Sequence, residues 1–265
     1  MLNTTLLLEV HQQVEQTNSP VPIIIGFVFA VLLSLINIYI GKLDIIDKLI
    51  PKFRLISLGA GVSVSYIFLE TLPELGHAQI ELEHSNLAFL KFLENHIYLL
   101  SLIGLLIFYG LENMATQSRQ DNFKSIGEDK TSNHIFWIHL GSFAIYNILI
   151  GELLSNAEKQ GLLSSILFCI ALGLHFLITD YGLRDHHKKI YDHIGRWILG
   201  GSIIFGWIIG IALNLPEIIS AMVLGLVAGG LILNVLKEEL PQIKKTCFLS
   251  FTMGTLSYAV LLLAI

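Results

Sequence analysis

Apolar residues run along this chain in blocks of about twenty, separated by short polar breaks. A block of that length, coiled at about 1.5 Å per residue, covers the roughly 30 Å of hydrocarbon in a bilayer. Eight such stretches are readable, at about 21–40, 54–72, 97–114, 134–154, 161–181, 195–213, 217–236 and 247–265. The longest breaks, 73–96 and 115–133, are too short for a separate soluble domain. The pattern predicts an all-α integral membrane protein with one transmembrane domain over 1–265. The N-terminal MLNTTLLLEVHQQVEQ has no Lys or Arg, and its apolar run falls short of a signal-peptide core. Residues 1–20 are therefore expected to be an exposed tail. The last apolar run reaches Ile265, which predicts no C-terminal domain.

The basic residues in the breaks set an orientation. Lys42, Lys48, Lys52 and Arg54 lie in the first, and Lys91 alone in the second. Arg119, Lys124 and Lys130 follow, then Lys159 alone. Arg184, Lys188, Lys189 and Arg196 occupy the fifth, none the sixth, and Lys237, Lys244 and Lys245 the last. Alternate breaks thus hold fourteen basic residues against two, and the richer set belongs on the cytoplasmic side. Both termini are then expected outside.

A repeat appears within this pattern. The second stretch reads AGVSVSYIFLETLPEL from Ala60 and the seventh AGGLILNVLKEELPQI from Ala228. Ala60-Gly61 pairs with Ala228-Gly229, and Glu70-x-Leu72-Pro73 with Glu238-x-Leu240-Pro241, all at one offset of 168. The orientation makes the two copies antiparallel, a plan common in secondary transporters. It divides the chain into three spans, a central pair and three more. The small residues Gly59, Gly61, Ser63 and Ser65, and Gly225, Gly229 and Gly230, allow close helix approach. Pro73 and Pro241 sit where a helix is expected to stop.

The central pair carries polar groups at membrane depth, where they are costly and face a bundle interior or a pathway. His139, Asn147 and Glu152 lie in 134–154, and His175 and Asp180 in 161–181. Composition agrees: 54% of residues are hydrophobic and 14% charged, against about 25% charged in soluble domains. The net charge of −5 says little about partners, and no nucleic acid is expected. Cys169 and Cys247 have no metal-type spacing and read as packing residues.

Eight spans, outer termini, a 3+2+3 inverted repeat and the AG…E-x-L-P second span resemble the ZIP family of divalent-metal transporters. In that family the second span ends in a His followed by a leucine-proline motif; here Glu70 stands at the His position. The fourth span's H-N-x-x-D-G pattern corresponds to Tyr146-Asn147-Ile148-Leu149-Ile150-Gly151, matching at Asn147 and Gly151. The fifth span's H-E-x-x-H-E corresponds to His175-Phe176-Leu177-Ile178-Thr179-Asp180, matching at His175, with Asp180 a conservative replacement. The resemblance covers the whole chain in topology and its motifs in part. It implies inward movement of a divalent cation such as Zn²⁺ by alternating access, from a plasma or bacterial inner membrane. His175 would be the principal ligand, with Asn147, Asp180, Thr179 and Glu70 in support.

Zinc takes about four His, Cys or carboxylate ligands. Ile150 and Phe176 supply nothing and a Thr179 hydroxyl is a weak ligand, so the family's two-metal centre cannot assemble, and at best one modest site remains, from Asn147, His175 and Asp180 with help from Glu70. Each candidate also has a plain structural reading: His175 and Asn147 as interhelical hydrogen-bonding groups, Asp180, Glu152 and Glu70 as helix-end groups. Glu112 and Asn113 read as surface groups, and His139 has no evident partner. Outside, His77, Glu81 and His84 share a helical spacing; inside, Arg184-Asp185-His186-His187-Lys188-Lys189 with Asp192 and His193 forms a mixed cluster. Each could collect a cation or be an ordinary solvated loop. Three functional readings stay open: a metal transporter, a fold that has lost transport and serves as a binding or regulatory partner, and a carrier of a non-metal solute. No cofactor or enzymatic activity is expected. The partners are the lipid bilayer and a divalent cation, and a homodimer is compatible with the sequence.

Overall fold

A computed structural model describes residues 21–39, 51–83, 97–155, 162–236 and 247–264. They are helical apart from short connections, with no strand among the described residues. The helices are α1 (Val21–Tyr39), α2 (Lys52–Tyr66), α3 (Leu72–Glu83), α4 (Ile97–Ile126), α5 (Asn133–Ser155), α6 (Leu162–Ile190), α7 (Arg196–Leu213), α8 (Glu217–Asn234) and α9 (Phe248–Leu263). The continuous runs Phe53–Ile80, Ile97–Ser125, Asn133–Ser155 and Leu162–Leu213 are long and apolar enough to cross a membrane. Ile23–Tyr39, Ile218–Asn234 and Phe248–Leu263 are shorter apolar helices. Large apolar side chains cover the outside, with Leu106 at 56%, Phe205 at 55% and Leu256 at 60% exposure. Many such residues pointing outward suit a surface solvated by lipid. The N-terminal tail, Glu238, Pro241 and His84 lie outside the described residues.

Three expected breaks turn out differently. Pro73 does not end its helix. A π-helical turn at Ile67–Thr71 precedes α3, and the Leu72 N–H bonds back to the Ile67 carbonyl. A proline lacks the donor for the next helical bond and crowds the preceding turn. A widened turn one residue earlier accommodates both, so the chain continues to Glu83. Similarly, the segment 182–196 is helical through Ile190 and passes through a second π-turn, Tyr191–Gly195, into α7. Lys188 alone departs from helical geometry there, at φ 52°, ψ −131°. The helix beginning at Ile97 also runs on to Ile126, well past the apolar stretch.

The helices pair in a pattern that follows the repeat. α2 packs along α9, and α4 along α8. At the first crossing a Cβ on Gly61 would strike the Phe251 carbonyl and lie 2.7 Å from the Thr255 N, and one on Gly254 would strike Leu58. At the second, Gly229 meets the Ser101 carbonyl and the Leu105 N, and Gly104 meets Leu226. Leu58 and Gly61 lie 168 residues before Leu226 and Gly229; Ser101, Gly104 and Leu105 lie 150 before Phe251, Gly254 and Thr255. The two crossings therefore use equivalent positions. The π-turn recurs as well: 235–236 is π-helical, 168 beyond the start of the turn at Ile67. α5, α7 and α1 form a second group, with α6 bridging α1 and α2.

An apolar core lies where these groups meet. It gathers Phe29 and Leu33 of α1, Tyr146 and Ile150 of α5, Leu172 and Phe176 of α6, Ile203 of α7 and Val227 of α8.

Candidate functional site

The central pair is seated by glycine. A Cβ on Gly151 of α5 would strike the Ile203 carbonyl of α7, and one on Gly206 would strike Ile148, so the two backbones touch. That approach brings Asn147 against α7, where its Nδ2 donates to the Leu199 carbonyl at 3.1 Å. Asn147 is buried and acts here as a link between helices.

Tyr146, which stands at a ligand position of the resemblance, is packed instead of polar-lined. Its ring meets Phe108 edge-on, with centroids 5.0 Å apart, and lies 6.2 Å from the His175 ring. Gly230 on α8 leaves the space that Phe108 and Tyr146 occupy. Ile150 and Phe176 are buried in the same apolar core. His175 is 1% exposed, with its ring 6.0 Å from that of Phe176.

Asp180 is also buried, and its carboxylate is engaged. It accepts from Arg184 Nη2 at 2.9 Å, one helical turn on, and from the Tyr191 hydroxyl at 2.7 Å. Arg184 in turn pairs with Asp192, and its guanidinium stacks 5.4 Å over the Tyr191 ring. A buried carboxylate is tolerable when paired and hydrogen-bonded in this way. Glu152, expected near a helix end, is 3% exposed and accepts from Ser220 of α8 at 2.8 Å. Thr179 and Glu70 are half-buried, Glu70 within the first π-turn. His77 is exposed on α3. Among the described residues, no three His, Cys, Asp or Glu side chains are grouped so as to hold a metal ion as they stand.

A second polar cluster lies where α5 begins and α6 ends against the middle of α4, and its pairing is not legible in the sequence. His139, from α5, places Nδ1 2.9 Å from Nε2 of His187 on α6. The other nitrogen of His187 meets the Thr131 hydroxyl. Glu112, from α4, accepts from His186 Nε2 at 2.9 Å and lies 3.6 Å from His139 Nε2. The Thr131 N–H donates to the His186 carbonyl, which pins the 127–132 connection to α6. Outside this cluster, Arg119 bonds Asp129 and Asp185, and Lys188 reaches both carboxylates. The forked hydrogen bonds from Arg119 hold Asp129 down to about 2. The sequence signal for the cluster was a histidine in an apolar stretch and a His-His pair beyond another; only the packing joins them.

No family model, curated protein or solved structure matches this chain.

Proposed function

We propose that this chain is a ZIP-like membrane transporter that carries a divalent metal cation such as zinc toward the cytoplasm by alternating access. The observation that supports this most is the matched pair of crossings, α2 with α9 and α4 with α8, built on equivalent glycines and flanking α5 and α6. An inverted repeat around a central pair lets one bundle rock against the other, so a site between them faces each side in turn. The reading takes eight membrane-spanning helices, both termini outside. His175 is the principal ligand, with Asn147 and Asp180 recruited around the cation from their present hydrogen bonds and Thr179 and Glu70 in support. Flux into reconstituted vesicles tests it: Zn²⁺, Mn²⁺, Fe²⁺ or Cd²⁺ should enter faster than into empty vesicles, and His175→Ala should abolish the difference. Folded protein with no flux of any of the four would overturn the proposal.

A second reading is favoured by the chemistry at the same positions. Asp180 is paired with Arg184 and Tyr191, and Tyr146, Ile150 and Phe176 pack where ligands are needed. On this reading the chain keeps the transporter-type fold and serves as a binding or regulatory partner. Absence of metal flux together with co-purification of an unrelated subunit supports it. A pH-dependent flux that ignores metals points instead to a non-metal solute.

A further inference from the structure

We propose that Glu112, His139, His186 and His187 form a proton-binding site, which takes up one proton from the side that the 127–132 connection faces and, once loaded, draws the start of α5 and the end of α6 against α4 at Glu112. The site is separate from the central ligand positions and does not depend on what they carry.

Three imidazoles and one carboxylate meet there, from three helices. Glu112 sits between two of the histidines, 2.9 Å from His186 Nε2 and 3.6 Å from His139 Nε2. His187 lies behind His139, and Thr131 behind His187. Side-chain exposure falls along this path, from 13% at His186 and 14% at Glu112 to 2% at His139. A proton arriving from water therefore meets His186 and Glu112 first. Histidine is the side chain whose charge changes between about pH 5 and 8, and chains of His and carboxylates carry protons in membrane proteins.

The charge arithmetic fixes the number. Hydronium transfers its proton to a neutral imidazole, leaving water and an imidazolium beside the Glu112 carboxylate. The cluster is then neutral overall. A second proton would place two cations among three adjacent buried rings with one anion, which burial and like-charge repulsion oppose. The groups interact closely enough to titrate as a unit, so the one proton belongs to the cluster and not to a single residue. The hydrogen bonds allow it to be shared. When His139 holds the added proton as an imidazolium and its Nδ1–H donates to His187 Nε2, that proton passes to His187 and leaves His139 neutral, without any heavy atom moving.

The other charges around the cluster are already balanced. Arg119 and Lys188 pair with Asp129 and Asp185 on one side, and Arg184 with Asp180 and Asp192 on the other, with Tyr191 on Asp180. Arg196 turns away, donating to the Ile38 carbonyl of α1. His134 is exposed at the start of α5. The backbone is also adjusted at this point: Lys188, directly after the two histidines, has φ 52°, a left-handed conformation that is unfavourable for a non-glycine residue.

Imidazole ¹⁵N resonances of the full chain in detergent micelles, followed from pH 5 to 8, test the proposal. In the natural protein, His139, His186 and His187 should move together with a single midpoint. Glu112→Gln removes the counter-charge and should lower that midpoint by at least about one pH unit, a tenfold loss of proton affinity. Below the midpoint, amide hydrogen exchange in 133–140 and 182–187 should slow at least several-fold beyond the intrinsic pH effect, and Glu112→Gln should remove the added protection. If Glu112→Gln does not fold, Glu112→Asp and His186→Gln serve. The first should keep one shared midpoint, and the second, which removes a half-buried ring, should shift it. Three independent titrations, or a midpoint unmoved in both Glu112→Gln and His186→Gln, would overturn the proposal.

Discussion

Gly229→Ala is the sharpest test of the helix packing. The added Cβ would fall against the Ser101 carbonyl and 2.6 Å from the Leu105 N, whereas ordinary contact begins near 3.4 Å. The obstruction is helix backbone, which no side-chain rotation relieves. α4 and α8 must part by roughly 1 Å, and the van der Waals contact along that crossing weakens with them. Overpacking of this kind costs about 1–3 kcal/mol. Alanine recovers about 0.5–1 kcal/mol because it is the better helix former. The net loss is about 0–2.5 kcal/mol against the natural protein and about 1–3 kcal/mol, or about 2–12 °C in unfolding midpoint for a chain of this size, against an alanine control that keeps the helix gain. Gly61→Ala, at the equivalent crossing of α2 and α9, meets the Phe251 carbonyl and the Thr255 N and should lose a similar amount. Gly201→Ala is the control, because nothing lies within 4 Å of its Cβ; it should be neutral or slightly stabilising. Thermal unfolding in one detergent at one scan rate measures all three. If Gly229→Ala and Gly61→Ala unfold with Gly201→Ala, the close crossings are misplaced. If only one of the two falls, their equivalence is wrong.

Asn147→Leu should lower stability by about 1 kcal/mol, the scale of an interhelical hydrogen bond in a membrane bundle, because the bond to the Leu199 carbonyl is lost; denaturant unfolding in micelles reads it. At the Asp180 cluster, Arg184→Met should cost about 3–5 kcal/mol by leaving a buried carboxylate without its cation. Tyr191→Phe, which deletes one hydrogen bond to the same carboxylate, should cost about 1.5–3 kcal/mol, so the order of the two midpoints is the check. Asp129 is held below its unfolded value by Arg119, so its stabilising contribution is complete above about pH 4 and disappears as pH falls toward about 2. Asp129→Asn should flatten the stability profile across that window, measured by fluorescence-detected unfolding.

The apolar blocks were legible because a helix crossing hydrocarbon must satisfy its own backbone and cover itself with apolar side chains, which fixes both length and composition. The repeat was legible through Ala60-Gly61 and Ala228-Gly229, since a backbone contact tolerates little besides glycine at Gly61 and Gly229. Continuation past Pro73 was not, because a π-turn has no hydrophobic period of its own and the proline alone argues for a stop. The buried polar groups were hardest to assign. Glu112 read as a surface group and His139 as an isolated one because their partners come from distant parts of the chain. Asp180 looked like a free candidate ligand because the pattern cannot show that Arg184 and Tyr191 both turn toward it.

One departure from symmetry bears on how such a bundle would move. On the proposed inverted-repeat reading, exchanging the two halves turns the α5–α7 crossing into the α6–α1 crossing, yet the two are built differently. α5 and α7 meet backbone to backbone at Gly151 and Gly206, and a Cβ at Gly210 would strike the Ser155 side chain. α6 meets α1 through side chains instead: a Cβ on Gly173 would reach Ile36 at 3.0 Å and Leu33 at 3.8 Å. Beside that contact lies an apolar groove of about 650 Å³ between the two helices, lined by Phe29, Leu32, Ile36, Cys169, Gly173 and Leu177. Interlocked backbones resist sliding, because displacement drives a carbonyl into a Cα. A crossing made of side-chain tips yields by rotamer changes, and the groove gives those side chains room. On the proposed transport reading, α5 and α7 therefore travel as one body, and the relative motion is taken up along α1 and α6. The symmetry-related state would close the groove and loosen the glycine crossing, and this asymmetry is the difference that two alternating conformations of an inverted repeat require.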